Sequence, residues 1–281
     1  MEIDEKVSKT AASANAAFYN SENTEKYLEV APHIKHPSLR NMYNELIGEV
    51  YQAASQVGNP RILDIGAGEG SATLPFLQLG GEVTAIDISP NMLEVLRSKC
   101  DAYGPHLETI CADVFDVLES LKVQNRHFDI AVADSFLHHL PDYIGMIRKL
   151  DPLLSENGQF FSFQDPLRFD SVGRFTKAFG NLTYYPWRVF QGDVLGGVRR
   201  HMRRRHGADP ENLEDNTEYH YFRNGVDQDA IHDQFEELGF DCRVISYFSS
   251  QSAIGQRIGE AIGLKCTFAI IARRNERRAS S

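Results

Sequence analysis

Between Arg61 and Asp165 the chain alternates short apolar runs with amphipathic segments, and this alternation constrains the fold more than any other feature. The runs RILDI, EVTAID, LETICAD, FDIAVAD and GQFFSFQD have the length and composition of buried strands. The segments between them have helical periodicity, and one of them opens with Ser89 as an N-cap followed by a proline. Because each crossover must pack a helix on the sheet, this order predicts an α/β fold with a doubly wound, mostly parallel sheet.

Helical patterns flank this alternating region. Before it, apolar residues such as Met42, Leu46 and Val50 recur at helical spacing. After Asp165 the strands stop for about sixty residues, and a last helical pattern then precedes two further strands. We therefore expect five units: an N-terminal helical segment (1–58), a core with the ligand site (59–165), a helical cap between strands five and six (166–226), a final helix with a strand pair (227–273) and a tail (274–281).

Composition limits the classes of function. The 281 residues are 42% hydrophobic and 24% charged, which is ordinary for a globular protein. No run approaches the roughly 20 apolar residues that span a bilayer, and the polar N-terminus lacks a signal-peptide core. We therefore expect a cytoplasmic protein without a membrane partner. The net charge of −10 weighs against general nucleic-acid binding.

Metal binding finds no support in the sequence. The four cysteines are scattered without a C-x-x-C pair, which argues against a structural zinc site. No other cluster with metal-ligand spacing is present, so we predict chemistry without a metal.

The stretch RILDIGAGEG places an acid, Asp64, at the end of the first strand and glycines at 66, 68 and 70 just beyond it. Ligands of open α/β sheets bind at the carboxyl ends of the strands, and glycine lets a ligand approach the backbone. Asp87 ends the second strand 21 positions past Gly66, where a carboxylate can accept both hydroxyls of a ribose. The pattern predicts a ligand that contains a nucleoside.

The residues beside the glycines favour one nucleoside ligand over another. A dinucleotide fingerprint, G-x-G-x-x-G, needs a glycine where this chain has Ser71, and Asp64 would repel a pyrophosphate. S-adenosylmethionine carries an ammonium and a sulfonium and no phosphate, so an adjacent acid suits it. A nicotinamide dehydrogenase is also disfavoured because no Ser…Tyr-x-x-x-Lys set follows.

Five segments occur in an order that resembles the class I S-adenosylmethionine-dependent methyltransferases of the small-molecule type. They are LDIGAGEG, VTAIDISPNML, CADVFD, FDIAVADSFLHHLPD and LLSENGQFFSFQDP, and they fall within residues 61–166. The resemblance implies a Rossmann-like sheet of seven strands whose last strand is antiparallel. It also implies S-adenosyl-L-methionine as methyl donor and S-adenosyl-L-homocysteine as product.

The resemblance further implies roles for individual residues. The loop after the first strand would hold the methionine end, the acid of the second strand would hold the ribose, and residues after the second and third strands would surround the adenine. The end of the fourth strand would pass near the methionine moiety, and two N-terminal tyrosines would close over the cofactor. The implied cofactor residues are Asp64, Gly66, Ala67, Gly68, Gly70, Asp87, Ile88, Met92, Asp113, Val114, Ala133, Asp134, Ser135, Tyr19 and Tyr27.

The acceptor site is expected around the predicted cap, which is rich in aromatic residues and arginines. Such a segment suits a lid over a ring-bearing or anionic acceptor, although core aromatics and a solvated basic face are the structural alternatives. Of the pair His138 and His139, we favour His139 as a general base, level with His220 near the end of the cap. Packing histidines are the alternative here too. The candidate acceptor-binding residues are Tyr184, Tyr185, Trp187, Arg199, Arg203 and Tyr221.

Our leading hypothesis is metal-independent methyl transfer to the oxygen or nitrogen of a small molecule, such as a secondary metabolite, mainly by in-line alignment. Two alternatives keep the fold: methylation of a protein, peptide or tRNA docked through the arginine-rich cap, and a non-methylating member that uses the cofactor structurally. Methylation of DNA bases is disfavoured. The segment DSFLHH follows the fourth strand, where enzymes of that kind carry an Asn/Asp-Pro-Pro-aromatic loop. The acceptor and the choice between monomer and homodimer stay open.

Overall fold

A seven-stranded sheet forms the centre of this computed structural model, which describes residues 32–190 and 224–275. The spatial order of its strands is β3-β2-β1-β4-β5-β7-β6. Strands β1 to β5 pair in parallel, whereas β7 is antiparallel to both of its neighbours. This confirms the predicted fold class. The strands are β1 (Arg61–Ile65), β2 (Glu82–Asp87), β3 (Leu107–Cys111), β4 (Phe128–Asp134), β5 (Leu154–Pro166), β6 (Phe240–Tyr247) and β7 (Thr267–Arg274).

Helices connect these strands. A short 3-10 turn, Leu137–His139, follows β4. Because the strand order reverses between β1 and β4, the loops that follow these two strands lie at the same edge of the sheet, where open α/β sheets bind ligands. The described α-helices are α1 (Pro32–Lys35), α2 (Pro37–Ala54), α3 (Thr73–Gln78), α4 (Pro90–Lys99), α5 (Val114–Val123), α6 (Tyr143–Leu150), α7 (Arg174–Phe190), α8 (Gln228–Glu237) and α9 (Ala253–Ala261).

The central strands are buried on both faces of the sheet. In β1, Leu63 and Ile65 belong to one hydrophobic cluster and Ile62 belongs to the other. In β4, Ala131 and Ile130 divide between the two clusters in the same way. Side chains of a strand alternate between the two faces of the sheet, so a continuous apolar run packs against the helices on both faces. This rigid centre fixes where β1 and β4 end.

Helix α2 covers one face of the sheet and leads to the candidate site. It begins after a break at Pro37, as the sequence predicts, and its apolar face is buried. The ring of Tyr43 lies on that face, with its centroid 4.8 Å from that of Phe163 and 6.2 Å from that of Phe161. Both phenylalanines belong to β5. The packing therefore anchors α2 to the strand beside β4.

One helix was not predicted. Helix α9 lies between β6 and β7, where the sequence suggested only two closing strands. Ser252 caps it by accepting a hydrogen bond from the N–H of Gly255. A Cβ built on Gly259 would lie 2.2 Å from the ring of Phe248, so glycine permits close packing here. Glycines weaken a helical pattern in sequence, which hides such a helix.

The ends of the predicted cap lie together. Leu167 and Val226 form a β-bridge, and the N–H of Phe169 donates to the carbonyl of Asn224 at 2.7 Å. Between them the described part is α7 with the residues around it, since 191–223 fall outside the described residues. The division of the chain into five units stays a prediction.

Candidate active site

The glycine loop after β1 adopts a conformation that few other residues tolerate. Gly66, Gly68 and Gly70 have φ angles of 69°, 53° and 95°, in the left-handed region. A Cβ built on Gly66 would lie 2.1 Å from the ring of Phe136, whereas one on Gly68 would meet nothing within 4 Å. The backbone at Gly68 is therefore bare and open, as a loop that receives a ligand requires. Ala67 ties the loop to β2 by donating its N–H to the carbonyl of Ile86.

Asp87 connects this loop to the end of β2. Its Oδ2 accepts the N–H of Gly68 at 2.8 Å, and its Oδ1 accepts the N–H of Ser89 at 2.8 Å. Burial raises the pKa of Asp87, and hydrogen bonds from the backbone N–H groups of Ser89, Gly68 and Ile88 oppose this shift. Each oxygen keeps a second lone pair that can accept a hydroxyl. The carboxylate is thus held in place with acceptor capacity left over.

The residues predicted to flank the adenine follow β2. Ser89 accepts a hydrogen bond from the N–H of Met92 and so caps α4. The side chain of Met92 is buried and that of Ile88 is half-buried. The apolar start of α4 therefore lies directly beyond Asp87.

Asp64 is buried beneath the glycine loop and is 1% exposed. Its Oδ2 accepts the hydroxyl of Thr73 at 2.5 Å, and its Oδ1 has no hydrogen-bond partner among the described residues. Burial raises the pKa of Asp64 to about 7; the Thr73 bond opposes this, and the neighbouring acids Asp134, Asp87 and Glu69 add to it. A buried carboxylate oxygen without a partner, among other acids, suits a cationic ligand group.

Asp134 joins three segments at the end of β4. Its Oδ2 accepts hydrogen bonds from the hydroxyl of Tyr43 at 3.1 Å and from that of Ser71 at 3.0 Å. Helix α2, the glycine loop and β4 therefore meet at one carboxylate. Beside it, Ala133 is buried and Ser135 has a φ of 51°, a rare angle for a residue other than glycine. Such angles persist where the surrounding structure enforces them.

Tyr43 was missed by the sequence analysis. Burial raises the pKa of Tyr43 well above its usual value, and the nearby Asp134 adds to this, so the hydroxyl stays a hydrogen-bond donor. The available signal was a tyrosine on the apolar face of a helix. A buried tyrosine hydroxyl usually needs a polar partner.

Asp113 and Val114 follow β3. The Oδ1 of Asp113 accepts the N–H of Phe115 at 2.9 Å, which makes Asp113 the N-cap of α5. Val114 is buried. The capping role is the structural alternative for Asp113, and the predicted adenine contact stays a prediction.

The histidine pair lies in the turn after β4. The ring centroids of His138 and His139 are 4.0 Å apart. The Nδ1 of His138 lies 2.8 Å from Oδ1 of Asp165, a buried acid of β5 that the sequence analysis did not single out. The structure thus gives a carboxylate partner to the histidine that sequence reasoning favoured less.

Several candidates cannot be placed in the site. Tyr184 is half-buried on α7, and only the helical position of Tyr185 and Trp187 is described. Their predicted roles stay predictions. The candidates that lie outside the described residues are Tyr19, Tyr27, Arg199, Arg203, His220 and Tyr221.

Residues 32–190 and 224–275 were compared with the geometry of metal sites and of membrane-spanning helices. Within these ranges, no group of three His, Cys, Asp or Glu side chains is arranged to hold a metal ion. None of the helices described here combines the length and the apolar character that crossing a membrane requires.

Comparison with known proteins agrees with this geometry. A family model described as a methyltransferase domain matches residues 62–158, from β1 into β5. Residues 62–158 therefore match the methyltransferase domain family, in agreement with the resemblance that the sequence shows to the class I enzymes. The match includes the glycine loop, Asp87, Asp113 and Asp134, while α2 and the segment after β5 lie beyond it.

Curated relatives match part of the chain. The ubiquinone biosynthesis O-methyltransferase of Xanthomonas axonopodis pv. citri (strain 306) is 30% identical over 113 residues, which are 40% of this chain and 46% of the relative. The protein of the same name from Methylocella silvestris is 32% identical over 102 residues, which are 36% of this chain and 38% of the relative. The chain therefore spans less than half the length of these two curated relatives.

Solved structures match over nearly the whole chain. Magnesium protoporphyrin IX methyltransferase from Synechocystis PCC 6803, with bound SAM, has a TM-score of 0.55 and 13% identity, covering 98% of this chain and 99% of that one. The plantazolicin methyltransferase BamL, in complex with a triazolic analog and SAH, has a TM-score of 0.57 and 13% identity, covering 96% and 97%. At such identities the likeness shows the fold.

Proposed function

We propose that this chain transfers a methyl group from S-adenosylmethionine to a small-molecule acceptor, at oxygen or nitrogen. The observation that carries the proposal is the bare glycine loop over the unpartnered Oδ1 of Asp64. Glycines with left-handed φ angles let a ligand approach the backbone, and the buried carboxylate of Asp64 suits a cation rather than a phosphate. The names of the similar proteins, which refer to ubiquinone, a porphyrin and plantazolicin, support a small-molecule acceptor.

The described residues fit this cofactor. Asp87 has lone pairs left for ribose hydroxyls after binding the N–H groups of Gly68 and Ser89. Asp64 and Asp134 place negative charge near the glycine loop, where the ammonium and sulfonium would be bound. The adenine would be flanked by Ile88 and Met92 and would have Asp113 at its edge. Val114 would lie beside the adenine as well. Ala133 and Ser135 would lie near the methionine moiety.

When bound, the cofactor supplies a methyl group that is already strongly electrophilic. The chain therefore has to align the acceptor, exclude water and receive a proton where the acceptor is a hydroxyl. Asp134 is fixed by two hydroxyl donors from different segments, so the edge of the site that it forms is preorganised. On the acceptor side, aromatic residues of α7, among them Tyr184, would contact a ring-bearing substrate.

Transfer of a labelled methyl group tests the proposal. The protein would be incubated with tritiated S-adenosylmethionine and, separately, with small phenols, small amines, a peptide mixture and total tRNA. We expect label in a small molecule and little effect of salt. Label confined to peptide or tRNA, and lost at high salt, would instead support docking through arginines.

Two variants control this experiment. Asp87→Ala is expected to lose transfer, whereas Asp241→Ala changes an exposed acid of β6 and is expected to keep it. Protein that binds S-adenosylmethionine but labels no acceptor would favour a non-methylating member of the fold.

A further inference from the structure

A histidine and an aspartate form a buried pair at the ends of β4 and β5. Asp165 is 0% exposed, and its Oδ1 lies 2.8 Å from Nδ1 of His138. The same oxygen accepts the backbone N–H of His138 at 3.1 Å. The other oxygen, Oδ2, is buried without a hydrogen-bond partner among the described residues. When it is ionised, a carboxylate bound in this way fixes both the position and the tautomer of the imidazole.

The backbone of β5 is irregular at the point where it presents Asp165. The pairing with β7 shifts register between Ser162 and Asp165, and Gln164 has a φ of 66°. The N–H of Gln164 donates to the hydroxyl of Tyr247 at 2.9 Å, and its side-chain amide donates to Ser249 at 2.7 Å. A bulge redirects side chains, and a left-handed residue is retained only where neighbours enforce it. The bulge thus brings Asp165 against the turn that carries His138.

The pair lies beside the part of the site that contacts the glycine loop. Asp134 is close enough to affect the pKa of both His138 and Asp165, and it accepts the hydroxyl of Ser71 in the loop. Among the described residues, further titratable neighbours are His139, whose ring contacts that of His138, and Tyr247. The pair therefore borders the region assigned to the methionine end of the cofactor.

We propose that His138, positioned by Asp165, is the general base that accepts the proton of a hydroxyl acceptor. This inference rests on the proposed methyl transfer and narrows it to oxygen acceptors. When Asp165 is ionised, Nδ1–H of His138 donates to it and the lone pair of His138 is on Nε2. The acceptor proton moves to Nε2 while an oxygen electron pair forms the new bond to the methyl carbon. The electrons of the broken S–CH3 bond stay on sulfur, and the pair later releases its proton to water.

The electrostatics make the pair, and not His138 by itself, the group that takes up the proton. Burial raises the pKa of Asp165 well above its usual value, opposed by backbone N–H groups of the turn. Burial also lowers the pKa of His138 to about 4, opposed by the charge of Asp134. Both shifts favour a pair with zero net charge, and such a pair titrates as one unit. The pair in its negative form consists of an ionised Asp165 and a neutral His138. It therefore binds a proton more firmly than an exposed aspartate does.

Histidine NMR tests the geometry without an acceptor. In protein labelled with 15N-histidine and saturated with S-adenosylhomocysteine, we expect His138, at a pH above the titration of the pair, to carry its proton on Nδ1 and to lack one on Nε2. In Asp165→Asn the amide can donate to Nδ1, so the Nε2–H tautomer is expected. A wild-type His138 that is protonated on Nε2 over the whole pH range of the fold would overturn the proposal.

Two phenols of different acidity test the chemistry. At mildly alkaline pH, catechol must still lose its proton during transfer, whereas 4-nitrophenol is largely ionised beforehand. We expect His138→Gln to lower the rate with catechol by roughly 100-fold or more and with 4-nitrophenol by less than about 10-fold. Asp165→Asn should lower the catechol rate and change its pH profile, and Asp165→Glu should restore part of it. His232→Gln, a change on the surface of α8, is the matched control.

The possible failures are distinguishable. Equal losses on both phenols, or a selective loss on catechol in His139→Gln instead, would overturn the assignment to His138. Wild-type protein that binds S-adenosylhomocysteine but methylates no phenol or amine would contradict the proposed function. In that case the NMR tautomer alone decides whether the pair has the predicted geometry.

Discussion

The hydroxyl of Tyr43 donates a 3.1 Å hydrogen bond to Oδ2 of Asp134, so helix α2 contacts the carboxylate at the end of β4. The same oxygen accepts the hydroxyl of Ser71 from the glycine loop. A segment outside the matched methyltransferase domain is therefore part of the candidate site. This link between the N-terminal helix and the loop has measurable consequences.

Tyr43→Phe is expected to weaken both stability and cofactor binding. The ring keeps its packing on Phe163, but Asp134 loses a donor in a buried environment, which costs about 1–3 kcal/mol. Urea unfolding and calorimetry with S-adenosylmethionine would measure the two effects. Tyr51→Phe, on the same helix, is the control and should change stability by less than about 0.5 kcal/mol. Similar effects of both substitutions would show that the hydrogen bond is unimportant.

Alanine substitutions in the glycine loop should differ in severity. Gly68→Ala has space for its Cβ and should cost only the strain of a left-handed backbone, about 1–2 kcal/mol. Gly66→Ala should cost more because the Cβ would also meet the ring of Phe136 at 2.1 Å. Gly104→Ala is a control, since its Cβ would be in open space and its φ is not left-handed. Thermal unfolding gives the order, and equal losses at 66 and 68 would contradict it.

Asp64 is expected to make stability depend on pH. Its pKa is raised from 3.8 to about 7, mainly by burial, so between these values the folded protein binds more protons than the unfolded chain. Stability must then fall as the pH rises through this window, by an amount of the order of a few kcal/mol. Asp64→Asn should remove this part of the slope in ligand-free protein. Unfolding curves from pH 4 to pH 8 that have the same slope in both proteins would contradict the raised pKa.

Binding of a cation at Asp64 should release protons. A positive group beside the carboxylate favours its ionised form, so S-adenosylmethionine binding near pH 7 should expel part of a proton. Calorimetry in two buffers of different ionisation enthalpy measures this release. Asp64→Asn should reduce it, and an unchanged release would place the cation elsewhere.

The sequence predicted the sheet and the glycine loop because both depend on local patterns. Apolar runs of strand length define β1 and β4, and the glycines at 66, 68 and 70 permit the left-handed φ angles that all three adopt. Helix α9 was missed because Gly255 and Gly259, which permit its close packing, weaken the helical signal.

The hydrogen-bond partners of Asp134 and Asp165 could not be predicted from local patterns in the sequence. Tyr43 and Asp134 are 91 residues apart, and His138 and Asp165 are 27 apart. Which histidine meets Asp165 depends on the register of β5 and on its irregularity at Gln164. A shift of one residue reverses the face on which a strand side chain lies, so residue types alone could not show which histidine contacts Asp165.

Cofactor binding by calorimetry tests the central claim most directly. S-adenosylmethionine, S-adenosylhomocysteine and NAD would be titrated into wild type, Asp87→Ala and the control Asp241→Ala. We predict micromolar binding of the two adenosyl ligands to wild type and to the control, a large loss in Asp87→Ala, and no binding of NAD. Tight binding of NAD, or no binding of either adenosyl ligand, would contradict the account.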